Sequence, residues 1–184
     1  FNVTIPHNIS ILKFLDEMDD NCKTIGATNT ILNENGYLKG YNTDMDGFLE
    51  PSKKRNMVIR DSSVLLLGAG GAARAVIAGM SKEKASNVTI VNRTTEHSLE
   101  LKKFSQDLGL DAEIKTIEEM NEFNTDYNFI INSSSLGLKN ETNIIPTKII
   151  NEETVVYDIV YKPVNTELIK ESKKKISTFF FQKE

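Results

Sequence analysis

Val64-Leu65-Leu66-Leu67-Gly68-Ala69-Gly70-Gly71-Ala72-Ala73-Arg74 is the stretch that decides how this chain folds. Four consecutive aliphatic residues suit a strand covered on both faces, because polar alternation disappears when neither face meets water. A glycine run follows at once, and the alanine-rich stretch Ala72 to Met80 reads as a helix. Each glycine has a task in such a turn. Gly68 permits the tight reversal, Gly70 lets the backbone approach a pyrophosphate, and the small Ala73 lets the helix pack on the strand. Ala69, Gly71 and Ala72 complete the cradle at a helix N-terminus, whose free N–H groups and partial positive charge favour an anion. A glycine string alone also fits a plain tight turn; the strand before it and the helix after it favour a dinucleotide site.

Toward the C-terminus the same alternation continues. Val88-Thr89-Ile90-Val91 predicts a second strand and Glu96 to Leu108 a second helix. Further buried strands are expected at Phe129-Ile130-Ile131 and at Val155-Val156-Tyr157-Asp158-Ile159, then a helix from Thr166 to Lys175 and a last strand from Thr178 to Phe181. Strands alternating with helices predict an α/β fold: a Rossmann-like parallel sheet with helices on both faces, wound through right-handed crossovers. At the end of the second strand, roughly 20 residues past the glycines, an NAD site places a carboxylate against the ribose hydroxyls. Here the chain reads Asn92-Arg93-Thr94. Asn92 removes the repulsion a carboxylate exerts on a 2′-phosphate, and Arg93 supplies a permanently charged planar fork that matches phosphate geometry. Thr94 adds a hydroxyl and is expected to cap the following helix. NADP is therefore predicted over NAD. His97 is a lone histidine near the same phosphate position and is read as incidental. The stretch Ile131-Asn132-Ser133-Ser134-Ser135-Leu136-Gly137 lies at the carboxyl edge of the sheet, where its small residues suit either close approach of a cofactor or a plain loop.

Upstream, the pattern differs. Phe1 to Ile5 reads as a strand ended by Pro6, and Ile9, Leu12, Leu15 and Met18 recur at helical spacing. Asp16, Glu17, Asp19 and Asp20 are read as the solvated face of that helix rather than a metal site. Thr28 to Leu32 and Tyr37 to Tyr41 pair around Asn35-Gly36, a strong hairpin signal. Met45 to Leu49 opens a helix, and Pro51 to Arg60 reads as a polar connection. The expected organisation is a partial α/β substrate-binding domain over residues 1–50, a linker over 51–61, and an NADP-binding domain over 62–184.

Composition narrows the function classes. With 39% hydrophobic and 26% charged residues in 184, the chain is of ordinary globular type. A net charge of -4 argues against a general nucleic-acid or membrane surface, while leaving room for a local basic pocket. Cys22 is the only cysteine, which rules out an intrachain disulfide and a cysteine metal cluster, and fits a reducing cytoplasm. No apolar run approaches the roughly 20 residues of a membrane helix. The start at Phe1 without an initiating Met, and the end just after Phe179-Phe180-Phe181, are those expected of a fragment.

Six motifs in one order resemble the shikimate dehydrogenase family, and they span essentially the whole chain. They are Asn2-Val3-Thr4-Ile5-Pro6-His7, Gly26-Ala27-Thr28-Asn29-Thr30, Gly40-Tyr41-Asn42-Thr43-Asp44, Gly68 to Arg74, Asn92-Arg93-Thr94, and Val156-Tyr157-Asp158-Ile159-Val160-Tyr161-Lys162-Pro163. The resemblance implies reversible, NADPH-dependent reduction of 3-dehydroshikimate to shikimate, a step toward chorismate and the aromatic amino acids, in a cleft between two domains. It implies substrate contacts from Thr4, Asn29, Asp44 and Tyr161, and cofactor contacts from the glycine turn, Asn92 to Thr94, Asn132, Ser133 and Ile159. No metal is implied. The implied partner is the small hydroxylated acid alone, and monomer or homodimer stays open.

In the family, a lysine after the Val-Thr-Ile-Pro segment works with the aspartate of the Asn-Thr-Asp motif to move the proton that accompanies hydride transfer. Asp44 is present, but the lysine position holds Asn8. An amide has no usable proton near neutrality, and loss of a positioned acid–base group costs on the order of a hundred- to ten-thousandfold in rate. His7 and Lys13 are weak substitutes, since neighbours on a strand or turn point apart. Met45 stands where the family usually has glycine, and Lys162 replaces a common asparagine. The family's carboxylate-binding serines and its C-terminal substrate-binding glutamine have no counterpart in this chain. Two alternatives follow: a quinate/shikimate dehydrogenase of broader specificity, and a non-catalytic NADP-binding homologue.

Overall fold

The chain was analysed as a computed structural model, which describes residues 1–4, 7–123, 126–134, 147–160, 163, 165–175 and 179–181. Its larger sheet has six parallel strands: β4 (Ser63–Leu67), β5 (Asn87–Val91), β6 (Asp111–Lys115), β7 (Phe129–Asn132), β8 (Val155–Asp158) and β9 (Phe179–Phe181). Their order across the sheet is β6-β5-β4-β7-β8-β9. Renumbered from β4, this is the 3-2-1-4-5-6 order of the doubly wound dinucleotide fold, with its switch point between β4 and β7. β6 escaped the sequence reading because Asp111-Ala112-Glu113-Ile114-Lys115 is short and polar, as an edge strand exposed on one face can be.

The four apolar residues of β4 bury on both faces and so divide between two cores. Val64 and Leu66 point into one with Val88, Ile90, Ala73, Ile77 and Met80. Leu65 and Leu67 point into the other with Val91, Met120, Ile130, Leu168 and Ile169. The first core is roofed by α3 (Gly71–Lys82) and α4 (Thr95–Asp107), the second by α5 (Glu167–Lys173) and the 3-10 turn Glu119–Glu122. Helices thus cover both faces, as the alternation predicts. Thr166 caps α5 by accepting from Ile169 N at 3.3 Å. Thr94 stands at the cap position of α4, but its side chain makes no capping bond. Instead its carbonyl accepts from the Asn92 amide (2.9 Å) and the Ser98 hydroxyl (3.2 Å), so the expected hydroxyl cap is replaced by a side-chain brace across the turn.

The N-terminal part departs from the expected helix over Ile9 to Met18. Ser10–Phe14 is a 3-10 turn, Glu17–Met18 forms a short strand β1, and the helix α1 begins only at Asp20–Ile25. Pairing decides the matter: β1 runs parallel to β3 (Tyr37–Tyr41), with Glu17 opposite Lys39 and Met18 opposite Gly40. The acidic run is not merely a solvated face either. Asp16 accepts from Leu38 N at 2.7 Å, and Asp19 accepts from Cys22 N at 2.7 Å to cap α1. The hairpin forms around the expected Asn35-Gly36 turn, with β2 (Thr30–Glu34) lying two residues later than the expected Thr28 to Leu32 and pairing with β3; Asn35 and Gly36 are both at positive φ, as a two-residue turn of this type requires. Phe1 to Val3 lie along β2 through bonds between Ile31 N and Phe1 O and between Val3 N and Asn29 O, both 2.8 Å, and Asn2 makes a single bridge to Thr30 rather than a full strand.

The helix opened by Asp44 runs on through Pro51 to Lys54 as α2, so the connection expected to begin at Pro51 begins after Lys54. Proline in the last turns leaves the Gly47 carbonyl without its intrahelical partner, yet tertiary packing wins. Met45, Phe48 and Leu49 are buried in the same core as β4 and α3. Phe48 meets the Tyr157 ring edge-on with centroids 5.1 Å apart, and Gly79 of α3 leaves the space that Phe48 and Leu49 occupy. Ile25 and Ala27 join the same cluster. One core therefore runs from the first fifty residues into the parallel sheet. Leu49→Ala is expected to cost about 2–5 kcal/mol in chemical denaturation, the range for emptying a fully enclosed leucine site. A loss below about 1 kcal/mol would show that α2 does not share this core.

Candidate functional site

β4 ends at Leu67, and Gly68 turns the chain away with φ of +96°. A side chain there is excluded twice. The backbone lies in the left-handed region, and an added Cβ would sit 3.0 Å from Ser133 Oγ, Ser134 Cβ and Ser134 N. The neighbouring β7 exit is stitched to the same point, with Ser133 N donating to Leu67 O at 2.9 Å and Ser133 Oγ donating to it at 2.8 Å. Gly70 and Gly71 differ in kind from Gly68. Their φ values are ordinary for any residue, and a Cβ at either meets no atom within 4 Å. Their missing side chains leave open space above the first turn of α3, where three N–H groups lack intrahelical partners. This is the shape a pyrophosphate needs. Ala73 is fully buried against the sheet, as the third small position of such a turn should be.

Beside the glycine turn, at the end of the neighbouring β5, Arg93 is exposed and makes no hydrogen bond or ion pair among the described residues. Asn92 spends its amide on Thr94 O, which holds the turn that presents Arg93. His97 is exposed on the first turn of α4. Asn132 is buried at the end of β7, and Ile159 N donates to its carbonyl at 3.0 Å, which places Ile159 beside it at the end of β8.

In the N-terminal part, two of the residues expected to meet substrate, Asn29 and Asp44, are bonded to each other. Asn29 Nδ2 donates to Asp44 Oδ1 at 2.8 Å and to Thr43 Oγ1 at 3.1 Å, while Asn29 Oδ1 accepts from Thr43 N at 3.2 Å. Asp44 is the first residue of α2 and exposed, and its N–H donates to the buried Asn42 side chain. Val3 N donates to Asn29 O, which puts the exposed Thr4 next to this pair in the chain. Thr28 N donates to Asn8 O at 3.0 Å. The Asn8 side chain donates to Val3 O at 3.3 Å, so it ties its own loop. Met45 is absorbed as a buried helical residue, and Lys13 lies 5.0 Å from the centre of the Phe14 ring. Tyr161 and Lys162 lie outside the described residues.

Arg74 is the residue that the sequence reading left without a role. Its Nε donates to Ile25 O at 2.9 Å, at the C-terminus of α1, and its guanidinium lies 3.9 Å over the Phe104 ring of α4. Burial pushes its pKa down from the ordinary arginine value, countered by Glu100. One turn past the glycines, α3 is thus pinned to the N-terminal part of the chain. Only the tertiary structure could reveal that partner, 49 residues away. No group of three or more His, Cys, Asp or Glu side chains suited to a metal ion exists among the described residues.

The two kinds of glycine make a paired prediction. Gly70→Ala should leave stability within about 0.5 kcal/mol yet weaken dinucleotide binding at least tenfold, read by calorimetric titration and thermal melting. Gly68→Ala should cost at least about 1–2 kcal/mol from the backbone alone. Unchanged affinity in Gly70→Ala would mean the open space is not a phosphate cradle.

Comparison with known proteins gives a consistent picture. The family model described as shikimate / quinate 5-dehydrogenase matches residues 50–167, and that of the shikimate dehydrogenase substrate binding domain matches residues 1–31. Shikimate dehydrogenase (NADP(+)) of Nitrosopumilus maritimus is 55% identical over 98% of this chain and 66% of its own length. Shikimate dehydrogenase from Aquifex aeolicus superposes with a TM-score of 0.82 at 37% identity, over 98% of this chain and 64% of that one. Shikimate 5-dehydrogenase from Thermus thermophilus, solved with NADP(H) and shikimate, gives 0.78 at 32% identity, over 96% and 65%. The chain thus spans just under two thirds of the length of these relatives. By these matches, it belongs to the shikimate/quinate 5-dehydrogenase family.

Proposed function

We propose that this chain carries the NADP site and part of the substrate site of a shikimate dehydrogenase, which interconverts 3-dehydroshikimate and shikimate. Residues 1–50 supply the substrate side and residues 62–184 the cofactor side. The observation that carries the reading is the exposed Asn29–Asp44 pair, joined at 2.8 Å, in a chain that also holds an open glycine turn at its switch point. A hydroxylated ring is recognised by such paired donors and acceptors, because a buried polar group left without its partner is costly. Thr4 and Tyr161 are assigned to the same substrate. Of the relatives named above, that of Nitrosopumilus maritimus carries NADP(+) in its name and that of Thermus thermophilus was solved with NADP(H), which supports the cofactor assignment.

The residues present fit this cofactor. Gly68 to Ala72 receive the pyrophosphate, Arg93 and Thr94 the 2′-phosphate, and Asn132, Ser133 and Ile159 flank the nicotinamide half. NADPH, when bound, supplies the hydride. Asp44 is positioned by Asn29 and by the N-terminus of α2, where a carboxylate is favoured by the helix dipole. Its task is to hold a substrate hydroxyl and to accept or return the accompanying proton. Asn8, at the position of the family's lysine, offers a hydrogen bond but no transferable proton. The Asn8–Val3 bond therefore also favours a second reading, a homologue that binds its ligands and turns over slowly. The lone buried cysteine suits a reducing, cytoplasmic setting.

Two measurements test this. Arg93→Ala should weaken NADP binding roughly ten- to hundredfold, the loss of a charged hydrogen-bonding partner, with NAD affinity little changed; equal losses for both would remove Arg93 from the 2′-phosphate. In a chimera completed to the length of the Nitrosopumilus relative, Asn8→Lys should raise shikimate turnover at least tenfold, followed at the nicotinamide absorbance band. A typical enzyme rate with Asn8, unchanged by the substitution, would place the acid–base group elsewhere.

A further inference from the structure

The deepest charged group in the described structure is Asp158, the last residue of β8, which is completely shielded from solvent. Burial pushes its carboxyl above the ordinary aspartate range, opposed by hydrogen bonds from Thr166, Val160 and Asn132. Those three donors come from three different places. Asn132 Nδ2, at the end of β7, donates to Oδ1 at 2.9 Å, and Val160 N, just past β8, donates to the same oxygen at 3.0 Å. Thr166 Oγ1, at the cap of α5, donates to Oδ2 at 2.6 Å and itself accepts from Ile169 N. The chain of bonds extends the other way too. Asn132 Oδ1 accepts from Ser134 N at 3.1 Å and Ser134 Oγ at 2.6 Å, and Ser134 lies against Gly68.

A polar network with every member paired fixes geometry more than it adds stability, since an unpaired group in such a place is so costly. This one lies wholly on the β7–β8 side of the switch point, and Arg93 lies on the β5 side. A dinucleotide spanning the crevice with its adenosine phosphate on Arg93 must lay its other half over β7 and β8. We propose that Asp158 is a positioning residue for the nicotinamide half: it holds Asn132, the start of the segment after β8 and the cap of α5 in the arrangement that receives the ring. The proposal rests on the cofactor reading above and adds a residue that touches no ligand itself.

The test uses two ligands that share one end, NADPH and adenosine 2′,5′-bisphosphate, which has the 2′-phosphate but no nicotinamide. Asp158→Asn keeps the size of the side chain but sets an amide N–H group among three donors. It should weaken NADPH at least fivefold and leave the bisphosphate within about twofold, with folding checked by thermal melting. Thr166→Val removes one of the three donors, together with the cap of α5, and should show the same selective loss, smaller in size; Thr166→Ser, which keeps the hydroxyl, should restore it. Equal weakening of both ligands, or no weakening of NADPH in variants that fold, overturns the positioning role. If the unaltered chain binds the bisphosphate but not NADPH, the nicotinamide half has no seat and the inference falls while the phosphate assignment stands. If it binds neither, the cofactor reading falls and takes the inference with it.

Discussion

At Gly68 two strands leave the sheet so close together that no side chain fits between them. The turn that β4 makes and the first residues after β7 share a carbonyl, Leu67 O, and a Cβ added at Gly68 would stand only 3.0 Å from Ser133 and Ser134. That crowding places the switch point, and the switch point places everything else. In a doubly wound sheet the connections on either side of such a point leave in opposite directions, which opens a crevice at the carboxyl edge, and α3 begins at that edge. The open space above Gly70 and Gly71 is the complement of the crowding at Gly68. The same residue type does opposite things two positions apart, fitting where no side chain has room at Gly68 and leaving space open at Gly70.

From that edge, two further constraints reach outward. The first is the apolar cluster that binds α2 to α3 and β8, through Leu49, Phe48, Gly79 and Tyr157. It holds Asp44, at the head of α2, in a fixed relation to the first turn of α3. Arg74 adds a second tie between α3 and the end of α1, stacked on Phe104 and partly stripped of water. The second is the buried carboxylate of Asp158, which costs several kcal/mol to desolvate if unpaired and is therefore surrounded by donors from three elements. Hydrophobic packing sets Asp44 relative to the turn, and polar pairing sets the loops on the other side of it.

Much of this was legible in the chain as written. Long apolar runs such as Val64 to Leu67 and Phe129 to Ile131 declare strands buried on both faces, and Asn35-Gly36 declares a hairpin, because these signals are local. The readings that failed were those where a local period met a distant partner. Ile9, Leu12, Leu15 and Met18 keep helical spacing, but β3 claims Met18 for a parallel pair, and a ladder bond outweighs a weak propensity. Pro51 signals a helix end, but Phe48 and Leu49 have a core to fill and α2 continues. The polar strand β6 was invisible because only its place at the sheet edge makes it a strand.

By itself, the sequence determined the parallel α/β class and the glycine turn with its cation two residues past β5. Residue type and spacing along the chain are enough for those two, whereas Asn29, Asp44 and Asn8 were singled out by the family resemblance. Only the tertiary structure decided that α2 belongs to the core of the parallel sheet, that Arg74 reaches back to Ile25, that the Asn8 amide is occupied by Val3 O, and that Asp158 gathers Asn132 and Thr166. These are contacts between residues brought together by strand order and helix packing. Their energies depend on burial and distance in space, and neither quantity is carried by a residue's neighbours in sequence.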